Sequence, residues 1–294
     1  MTPANEQNLL TRGAPLWRSW LYVPGDRAEM IPKALSGDSD CIIIDLEDAV
    51  PAANKEQARI NACTAVLENP GASIVVRINA VGSPWHEKDL SALAKARVKA
   101  VRIPKAEGPK QIVMIAQALG SDCELHLLVE SAKGLQASDE LAQASSSVSS
   151  IALGETDLKA DLGITEDEFL AYARGKIVAS ARAAGLIAPP QSVYTNVNDV
   201  EGLLATSKQA SAAGFFGRTV IHPRQVAMVN AVFTPSRIEV DRAHEIVSSL
   251  AELGGSGALV LSDGRFVDAA VVAGAQRVLD LAAIYGTTQE EKSV

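Results

Sequence analysis

The chain has 294 residues, of which 47% are hydrophobic and only 4% aromatic; this suits one large α/β barrel or two smaller domains and argues against a disordered chain. Its net charge of −8 comes from 27 Lys and Arg against 35 Asp and Glu, and no basic block stands out, so we expect no nucleic-acid partner. No apolar run approaches the roughly 18 residues of a membrane-spanning helix, so no membrane partner is expected.

The three cysteines, Cys41, Cys63 and Cys123, show no C-x-x-C spacing, which is typical of buried thiols in a reducing cytoplasm. The first residues are polar and lack the apolar core of a signal peptide. We therefore expect a cytoplasmic protein. Residues 1–15 are rich in Pro, Asn and Thr and are expected to form a flexible arm.

Short apolar runs alternate with helical stretches at even intervals over residues 16–233. This alternation predicts βα units and a parallel sheet, and polar residues at the strand ends are typical of a (β/α)8 TIM barrel. The seventh strand, around 187–194, is poorly marked because Pro189-Pro190 interrupts it. The other predicted strands cover 17–23, 41–44, 73–76, 100–103, 125–129, 150–153 and 219–221, with helices over 28–35, 53–68, 88–96, 110–119, 137–144 and 166–184.

Residues 234–294 continue beyond the predicted barrel. A helix is predicted over 235–253, followed by a hairpin around an Asp263-Gly264 turn and a final helix over 269–283. Two interpretations of this C-terminal segment are open. It could cap the same barrel, or it could be an arm that packs on a neighbouring subunit.

Two acidic residues follow successive strands of the predicted barrel. Glu130 ends the run Leu-Leu-Val-Glu, and Asp157 ends the run Ile-Ala-Leu-Gly-Glu-Thr-Asp. The carboxyl ends of parallel strands meet at one rim, where α/β proteins build their sites. Two carboxylates at that rim could hold one hard divalent cation, most simply Mg²⁺, with Mn²⁺ as a possible substitute.

Two basic residues also follow predicted strands. Arg77 could grip a carboxylate bidentately or hydrogen-bond a thioester carbonyl. It could equally pair with Asp45, Glu47 or Asp48 across the rim. Lys105 could steer an anionic substrate or act as a Schiff-base nucleophile.

Several motifs, in order from about residue 17 to 285, resemble those of the citrate lyase β-subunit-like proteins of the HpcH/HpaI aldolase superfamily. Several independent motifs in register make this resemblance specific. The matching runs are Arg18–Gly25, Asp45–Val50, Arg77–Asn79, Pro104-Lys105, Gly154–Gly163, Gly214-Phe215, Ile221–Pro223 and Gly264–Asp268.

The resemblance implies a (β/α)8 barrel that assembles as a homotrimer or homohexamer. It implies Mg²⁺-dependent cleavage or formation of C–C bonds in 3-hydroxyacyl thioesters, often CoA esters. Malyl-, citramalyl- and citryl-CoA are substrates of this kind. The other product or substrate would be a small keto acid such as glyoxylate, pyruvate or oxaloacetate.

The resemblance also assigns residues. Glu130 and Asp157 match the family's metal ligands, and Arg77 matches its substrate-binding arginine. Asp268 matches an aspartate that, in related malyl-CoA and citramalyl-CoA lyases, reaches the neighbouring subunit's site as acid/base. That role would make residues 234–294 an inter-subunit arm. Glu130, Lys105 and Arg18 are further candidates for substrate contact.

One segment departs from the family pattern. Many relatives have an Ile-Asp pair where this chain has Pro190-Gln191, and an aspartate is common where Asn196 stands. Two negative charges are therefore missing near the predicted rim. We expect this difference to affect which substrate is bound and to leave the fold and metal binding intact.

The resulting expectation is a Mg²⁺-dependent C–C lyase, or its reverse condensation, acting on an acyl thioester. Two main alternatives remain. One is a metal-independent Schiff-base aldolase that works through Lys105. The other is a poorly active subunit that binds a thioester or a carrier protein. A thioesterase or a malate-synthase-like activity on the same scaffold is also open.

Overall fold

The computed structural model describes residues 16–252, 259–260 and 264–288. The predicted flexible arm, residues 1–15, lies outside the described residues. The described residues fall into two compact units, 16–230 and those from 231 onward. None of the helices in the described part of the chain combines the length and apolar character that crossing a bilayer requires.

The first unit is built on a seven-stranded, all-parallel sheet with the strand order β6-β5-β4-β3-β2-β1-β7. Neighbouring strands pair in register, for example Val23 with Ile44. Strand β2 is buried along its whole length, as expected where both faces of a parallel sheet are covered. The strands are β1 (Ser19–Pro24), β2 (Cys41–Asp45), β3 (Ile74–Arg77), β4 (Ala100–Ile103), β5 (Glu124–Val129), β6 (Val148–Leu153) and β7 (Arg218–Val220).

Helices connect the successive strands, as the alternation in the sequence predicts. Four helices, over 132–136, 155–162, 200–212 and 226–232, were not predicted. The predicted helix over 166–184 begins with a 3-10 turn, Asp167–Leu170, before its α-helical part. The helices are α1 (Ile31–Leu35), α2 (Lys55–Glu68), α3 (His86–Lys95), α4 (Pro109–Leu119), α5 (Ala132–Gln136), α6 (Ser138–Ala142), α7 (Glu155–Leu162), α8 (Ala171–Ala183), α9 (Val200–Ala212) and α10 (Val226–Val232).

The strand predicted around 187–194 is absent. The structure has only an isolated parallel bridge between Gln191 and Arg218. Pro189 and Pro190 have no backbone N–H and cannot donate to a sheet ladder, which accounts for the irregularity. The poorly marked seventh strand of the sequence is therefore not formed as a regular strand.

This irregular segment nevertheless hydrogen-bonds to both edge strands of the sheet. Ile187 N–H donates to the Ser149 carbonyl in β6 at 3.4 Å. On the other side, the Gln191 carbonyl accepts the N–H of Thr219 in β7 at 2.9 Å. Residues 187–191 thus lie between β6 and β7.

The sheet is curled, so that distant strands face each other across its inner side. The Trp20 ring on β1 lies 5.1 Å from the His126 ring on β5, and Arg102 on β4 donates to Thr219 on β7 at 3.2 Å. A buried cluster fills the inner side towards the amino ends of the strands. Its members are Trp17, Trp20, Cys41, Ile43, Val75, Ala100 and Ile187.

The second unit contains α11 (Arg237–Glu252), the strands β8 (Leu259–Val260) and β9 (Phe266–Val267), and α12 (Ala269–Tyr285). The two strands pair antiparallel, as the predicted hairpin requires, although turn residues 261–263 lie outside the described residues. Asp268 caps α12, because its side chain accepts the N–H of Val271 at 3.0 Å. The core of this unit contains Ala243, Ile246, Val267 and Ala275.

Candidate active site

A cavity of about 570 Å³ lies at the carboxyl ends of the strands of the first unit. All seven strands of the parallel sheet, or the residues directly after them, contribute to its wall. This is the rim where parallel α/β folds build their sites. Contributors in strand order are Tyr22, Asp45, Arg77, Arg102, Glu130, Leu153 and Thr219.

Glu130 follows β5 directly and is buried, with 5% of its surface exposed. One carboxylate oxygen, Oε2, accepts the backbone N–H of Lys105 at 2.8 Å. Burial and, to a smaller extent, the carboxylates of Glu47 and Asp157 raise the pKa of the Glu130 carboxyl to about 7, although the Lys105 N–H and Arg77 act in the opposite direction. Negative charge is thus concentrated at this point of the cavity, where a cation would offset it.

Gly154, between β6 and α7, lies against Glu130. A Cβ atom at this position would lie 2.5 Å from Glu130 Cγ and 2.7 Å from Oε1. Such distances are too short for real atoms, so only glycine leaves the Glu130 carboxylate in its place. Gly154, directly after β6, therefore leaves room for the Glu130 carboxylate because it has no side chain.

Asp157 lies in the first turn of α7 and lines the same cavity as Glu130. The structure thus brings the two predicted carboxylates together. Within the described residues, no group of three or more His, Cys, Asp and Glu side chains is arranged to hold a metal ion. Two carboxylates fit Mg²⁺ all the same, because this ion is commonly held by one or two carboxylates and completes its shell with water and substrate.

Arg77 ends β3 and is buried among acidic side chains. Its Nε and Nη2 both donate to Asp45 at 2.6 Å. Its Nη1 lies 3.1 Å from Glu47 and 3.2 Å from Asp48. The structure therefore shows Arg77 as an ion-pair partner of acidic residues across the rim. The guanidinium also lines the cavity, so contact with a substrate is compatible with this pairing.

Lys105 has a left-handed backbone conformation, with φ at +50°. This conformation is uncommon for a non-glycine residue and is found where the fold imposes it, often at functional sites. Here the Lys105 backbone N–H binds Glu130, while its Nζ donates to Glu47 at 2.8 Å. That hydrogen bond raises the pKa of Lys105, which favours a protonated ammonium over the free amine that a Schiff base needs.

Arg102 is a cavity residue that the sequence alone did not single out. It is 2% exposed, and its side chain points from β4 into the curl of the sheet. The signal available in the sequence was a charged residue at the third position of an otherwise apolar strand, two residues after Ala100 and therefore on the same face.

Comparison with known proteins decides the family of this chain. Residues 18–223 match the model of the HpcH/HpaI aldolase/citrate lyase family. The chain belongs to this family. Its relatives include a citrate lyase subunit beta and a citramalyl-CoA lyase, and the chain is accordingly an enzyme of the C–C lyase type.

Three relatives show the range of the HpcH/HpaI family around this chain. The citrate lyase subunit beta of Leuconostoc mesenteroides subsp. cremoris is 35% identical over 284 residues, covering 91% of this chain and 93% of the relative. A (3S)-malyl-CoA thioesterase of Cereibacter sphaeroides (strain ATCC 17023) is also 35% identical, over 259 residues that cover 86% of this chain and 90% of the relative.

The third relative is a solved structure. The protein CitE from Mycobacterium tuberculosis, in complex with magnesium, acetoacetate and coenzyme A, superimposes with a TM-score of 0.80 at 31% identity. The match covers 92% of this chain and 99% of CitE. The likeness therefore extends over both the sequence and the fold.

Three residues predicted for the HpcH/HpaI site, Arg18, Lys105 and Asp268, are not among the described residues that line the cavity, although Lys105 hydrogen-bonds Glu130 through its backbone N–H. Arg18 lies at the amino end of β1, the opposite end of the sheet, where Nε and Nη2 bind Asp40 at 2.9 and 2.7 Å. This bidentate ion pair gives Arg18 a structural role and no place at the rim. Asp268 lies in the second unit as the cap of α12.

The two departures from the HpcH/HpaI pattern also have defined places. Gln191 is buried and donates from Nε2 to Glu155 at 3.1 Å, while its Oε1 is buried without a hydrogen-bond partner among the described residues. The Asn196 side chain accepts the N–H of Asn198 at 3.3 Å. Gln191 directly precedes the cavity residue Ser192, and Asn196 follows the cavity residue Val193 by three positions.

Proposed function

We propose that this protein is a Mg²⁺-dependent C–C lyase, or a catalyst of the reverse condensation, acting on a 3-hydroxyacyl thioester such as malyl-, citramalyl- or citryl-CoA. The observation that carries the proposal is the pair of carboxylates, Glu130 and Asp157, on one cavity at the rim of the sheet. Family membership and the likeness to a CitE structure with magnesium and coenzyme A support it.

Glu130 and Asp157 would hold the cation, Mg²⁺ or the similarly hard Mn²⁺. When bound, this ion supplies positive charge next to the oxygens on which negative charge develops. The Lys105 N–H and the absence of a side chain at Gly154 keep the Glu130 carboxylate in its binding position.

Arg77 would bind the substrate. Its guanidinium plane is fixed by the bidentate pair with Asp45 at the wall of the cavity, and this fixed orientation would let it receive a carboxylate or a thioester carbonyl. Donors that need no reorganisation stabilise developing charge most effectively. Lys105, at the rim beside Glu47, would attract the anionic substrate.

Cleavage needs a base that removes the proton of the 3-hydroxyl group. The C–C bond then breaks, and the resulting thioester enolate takes up a proton; the reverse reaction runs through the same enolate. We assign the proton transfer to Asp268 from a neighbouring subunit. This assignment requires a homo-oligomer, for which a trimer or hexamer is our proposal, with residues 234–294 as the arm.

We also propose that residues 187–191 complete an eight-stranded barrel as an irregular eighth member. Their hydrogen bonds to β6 and β7 support this closure. The catalytic domain would then comprise residues 16–233. The rim of a closed barrel surrounds its site on all sides, which suits a reactive enolate.

The Schiff-base alternative has little support, because the amine of Lys105 is engaged with Glu47. Hydrolysis of the thioester is favoured by one observation, the similarity to a malyl-CoA thioesterase. The poorly active binding subunit remains the third candidate.

One assay separates these functions. The protein is incubated with malyl-, citramalyl- or citryl-CoA and Mg²⁺, and the products are resolved. Release of acetyl-CoA together with a keto acid supports the lyase. Release of free CoA with the intact hydroxy acid indicates a thioesterase, and no product with any of the three esters would contradict the proposal.

A further inference from the structure

Arg102 is a buried cation with few partners. An arginine side chain carries five N–H donors. Among the described residues, the Arg102 side chain makes one hydrogen bond, from Nη1 to the Thr219 hydroxyl at 3.2 Å, and its Nε is buried without a partner. Its guanidinium lies near the rings of Trp20 and Tyr22, at 5.6 and 5.8 Å from their centroids.

Other buried arginines of the first unit are better satisfied. Arg77 contacts three carboxylates, and Arg59 pairs with Asp89 at 2.7 Å and with Glu56 at 2.6 Å. Arg218 also has no carboxylate within ion-pair distance among the described residues, but it donates three hydrogen bonds, to a carbonyl and two hydroxyls. In the described part of the chain, Arg102 has no carboxylate within the 4.0 Å that defines an ion pair.

A buried charge without a counter-charge costs free energy, so a fold retains one only where something compensates it. Arg102 lines the cavity that holds Glu130 and Asp157. A bound anion in that cavity would supply the missing charge and hydrogen bonds. Guanidinium suits a carboxylate in particular, because two parallel N–H groups match its two oxygens.

We propose that Arg102 binds a second carboxylate of the substrate, so that the keto-acid fragment is a dicarboxylate of the oxaloacetate class rather than glyoxylate or pyruvate. The inference rests on the proposed function, in which the cation and Arg77 take the carboxylate next to the keto group. The thioester carbonyl is neutral and cannot balance a permanent cation. The carboxylate at the far end of a four-carbon keto acid can.

Citryl-CoA and citramalyl-CoA form a matched pair for the test. They differ in one substituent on the hydroxyl-bearing carbon, a carboxymethyl group in the first and a methyl group in the second. The kcat/KM of each ester is measured for the wild type and for Arg102→Met, which keeps the length of the side chain and removes its charge. Arg218→Met, the same change at a buried arginine of a second cavity, is the control.

The wild type should prefer citryl-CoA, and Arg102→Met should lower the citryl/citramalyl ratio of kcat/KM by at least about 30-fold, since a buried hydrogen-bonded charge pair is lost. Arg218→Met should leave the ratio unchanged. Arg102→Lys, which keeps the charge and loses the fork, should give an intermediate ratio.

Thermal unfolding distinguishes binding from a structural role. Without ligand, Arg102→Met should melt at the wild-type temperature or above it, because an uncompensated buried charge is removed. Oxaloacetate with Mg²⁺ should raise the melting temperature of the wild type more than pyruvate does, and Arg102→Met should abolish this difference.

If Arg102→Met lowers kcat/KM equally for both esters, or lowers neither, the ratio is unchanged. That result would overturn the role of Arg102 and leave the lyase proposal intact. Cleavage of malyl-CoA alone by the wild type would likewise overturn only the role of Arg102, and cleavage of none of the three esters would overturn both proposals. If Arg102→Met does not fold, an unchanged ratio in Arg102→Lys is the overturning result.

Discussion

Gly154 and Glu130 share one space in the cavity. A Cβ on Gly154 would lie 2.7 Å from Glu130 Oε1, and the backbone at Gly154 has φ −93°, which any residue can adopt. Glycine is therefore needed at position 154 because a side chain would clash with Glu130, and not because of the backbone conformation. Since Gly154 opens α7, which also carries Asp157, one short segment places both carboxylates of the proposed metal site.

We predict that Gly154→Ala displaces the Glu130 carboxylate and weakens Mg²⁺ binding while the fold is retained. Calorimetric titration of Mg²⁺ measures the effect. Gly175→Ala in α8 is the matched control, because no atom lies within 4 Å of its Cβ position. It should stabilise the protein by about 0.5–1 kcal/mol and leave metal binding unchanged. Normal Mg²⁺ affinity in Gly154→Ala would show that the carboxylate tolerates displacement.

Arg77→Lys should lower kcat/KM, since lysine keeps the charge and loses the fork that binds Asp45. Loss of a bidentate contact with a buried charge typically costs about 2–5 kcal/mol. Steady-state kinetics with the cleaved ester measure the change. A kcat/KM near the wild-type value would mean that Arg77 serves only as an ion-pair partner.

Arg18→Lys is a comparison of the same kind at the opposite end of the sheet. It also breaks a bidentate pair, with Asp40. Because Arg18 is remote from the cavity rim, kcat/KM should stay unchanged while the protein becomes less stable. If Arg18→Lys lowers kcat/KM as much as Arg77→Lys does, Arg18 takes part in substrate binding after all.

The apolar runs of the sequence predict most of the fold. Ile42, Ile43 and Ile44 are buried on both faces of the sheet, and a run of this kind is typical of a central parallel strand. The segment around 187–194 is predicted only as a poorly marked strand, because Pro189-Pro190 interrupts it, and its pairing in the structure is reduced to isolated hydrogen bonds. Tertiary contacts, rather than the local pattern, place that segment between β6 and β7.

The residues of the site could be predicted where they lie at or just after the ends of strands. Glu130, Asp157 and Arg77 were found this way, and the structure brings them to one cavity. Arg102 was missed because it lies inside a strand, and its lack of a counter-charge depends on residues more than a hundred positions away, such as Thr219. Whether a charge is paired is decided by the three-dimensional fold.

Lys105 should not form a Schiff base. Its Nζ is held by Glu47, which raises the pKa of the amine, so attack on a keto acid as a free amine is disfavoured. Incubation with pyruvate and borohydride, followed by mass spectrometry, should give no adduct at Lys105. A stable adduct there, with loss of activity, would revive the metal-independent aldolase.

Asp268→Asn should lose the proposed proton transfer and lower the rate by about 10²–10⁴-fold. Assembly and metal binding should be retained, since asparagine can also cap α12 through the Val271 N–H. Mixing inactive Asp268→Asn with inactive Glu130→Gln under subunit exchange should restore part of the activity. No recovery in demonstrably mixed oligomers would place the acid/base elsewhere.

The dependence of activity on the cation tests the central claim most directly. Acetyl-CoA release should stop in EDTA and return on addition of Mg²⁺ or Mn²⁺, while Glu130→Gln and Asp157→Asn stay folded and inactive because each lacks one anionic ligand oxygen. Mg²⁺ titration of both variants should show loss of binding. Full turnover in excess chelator, or wild-type activity in either variant, would contradict the account.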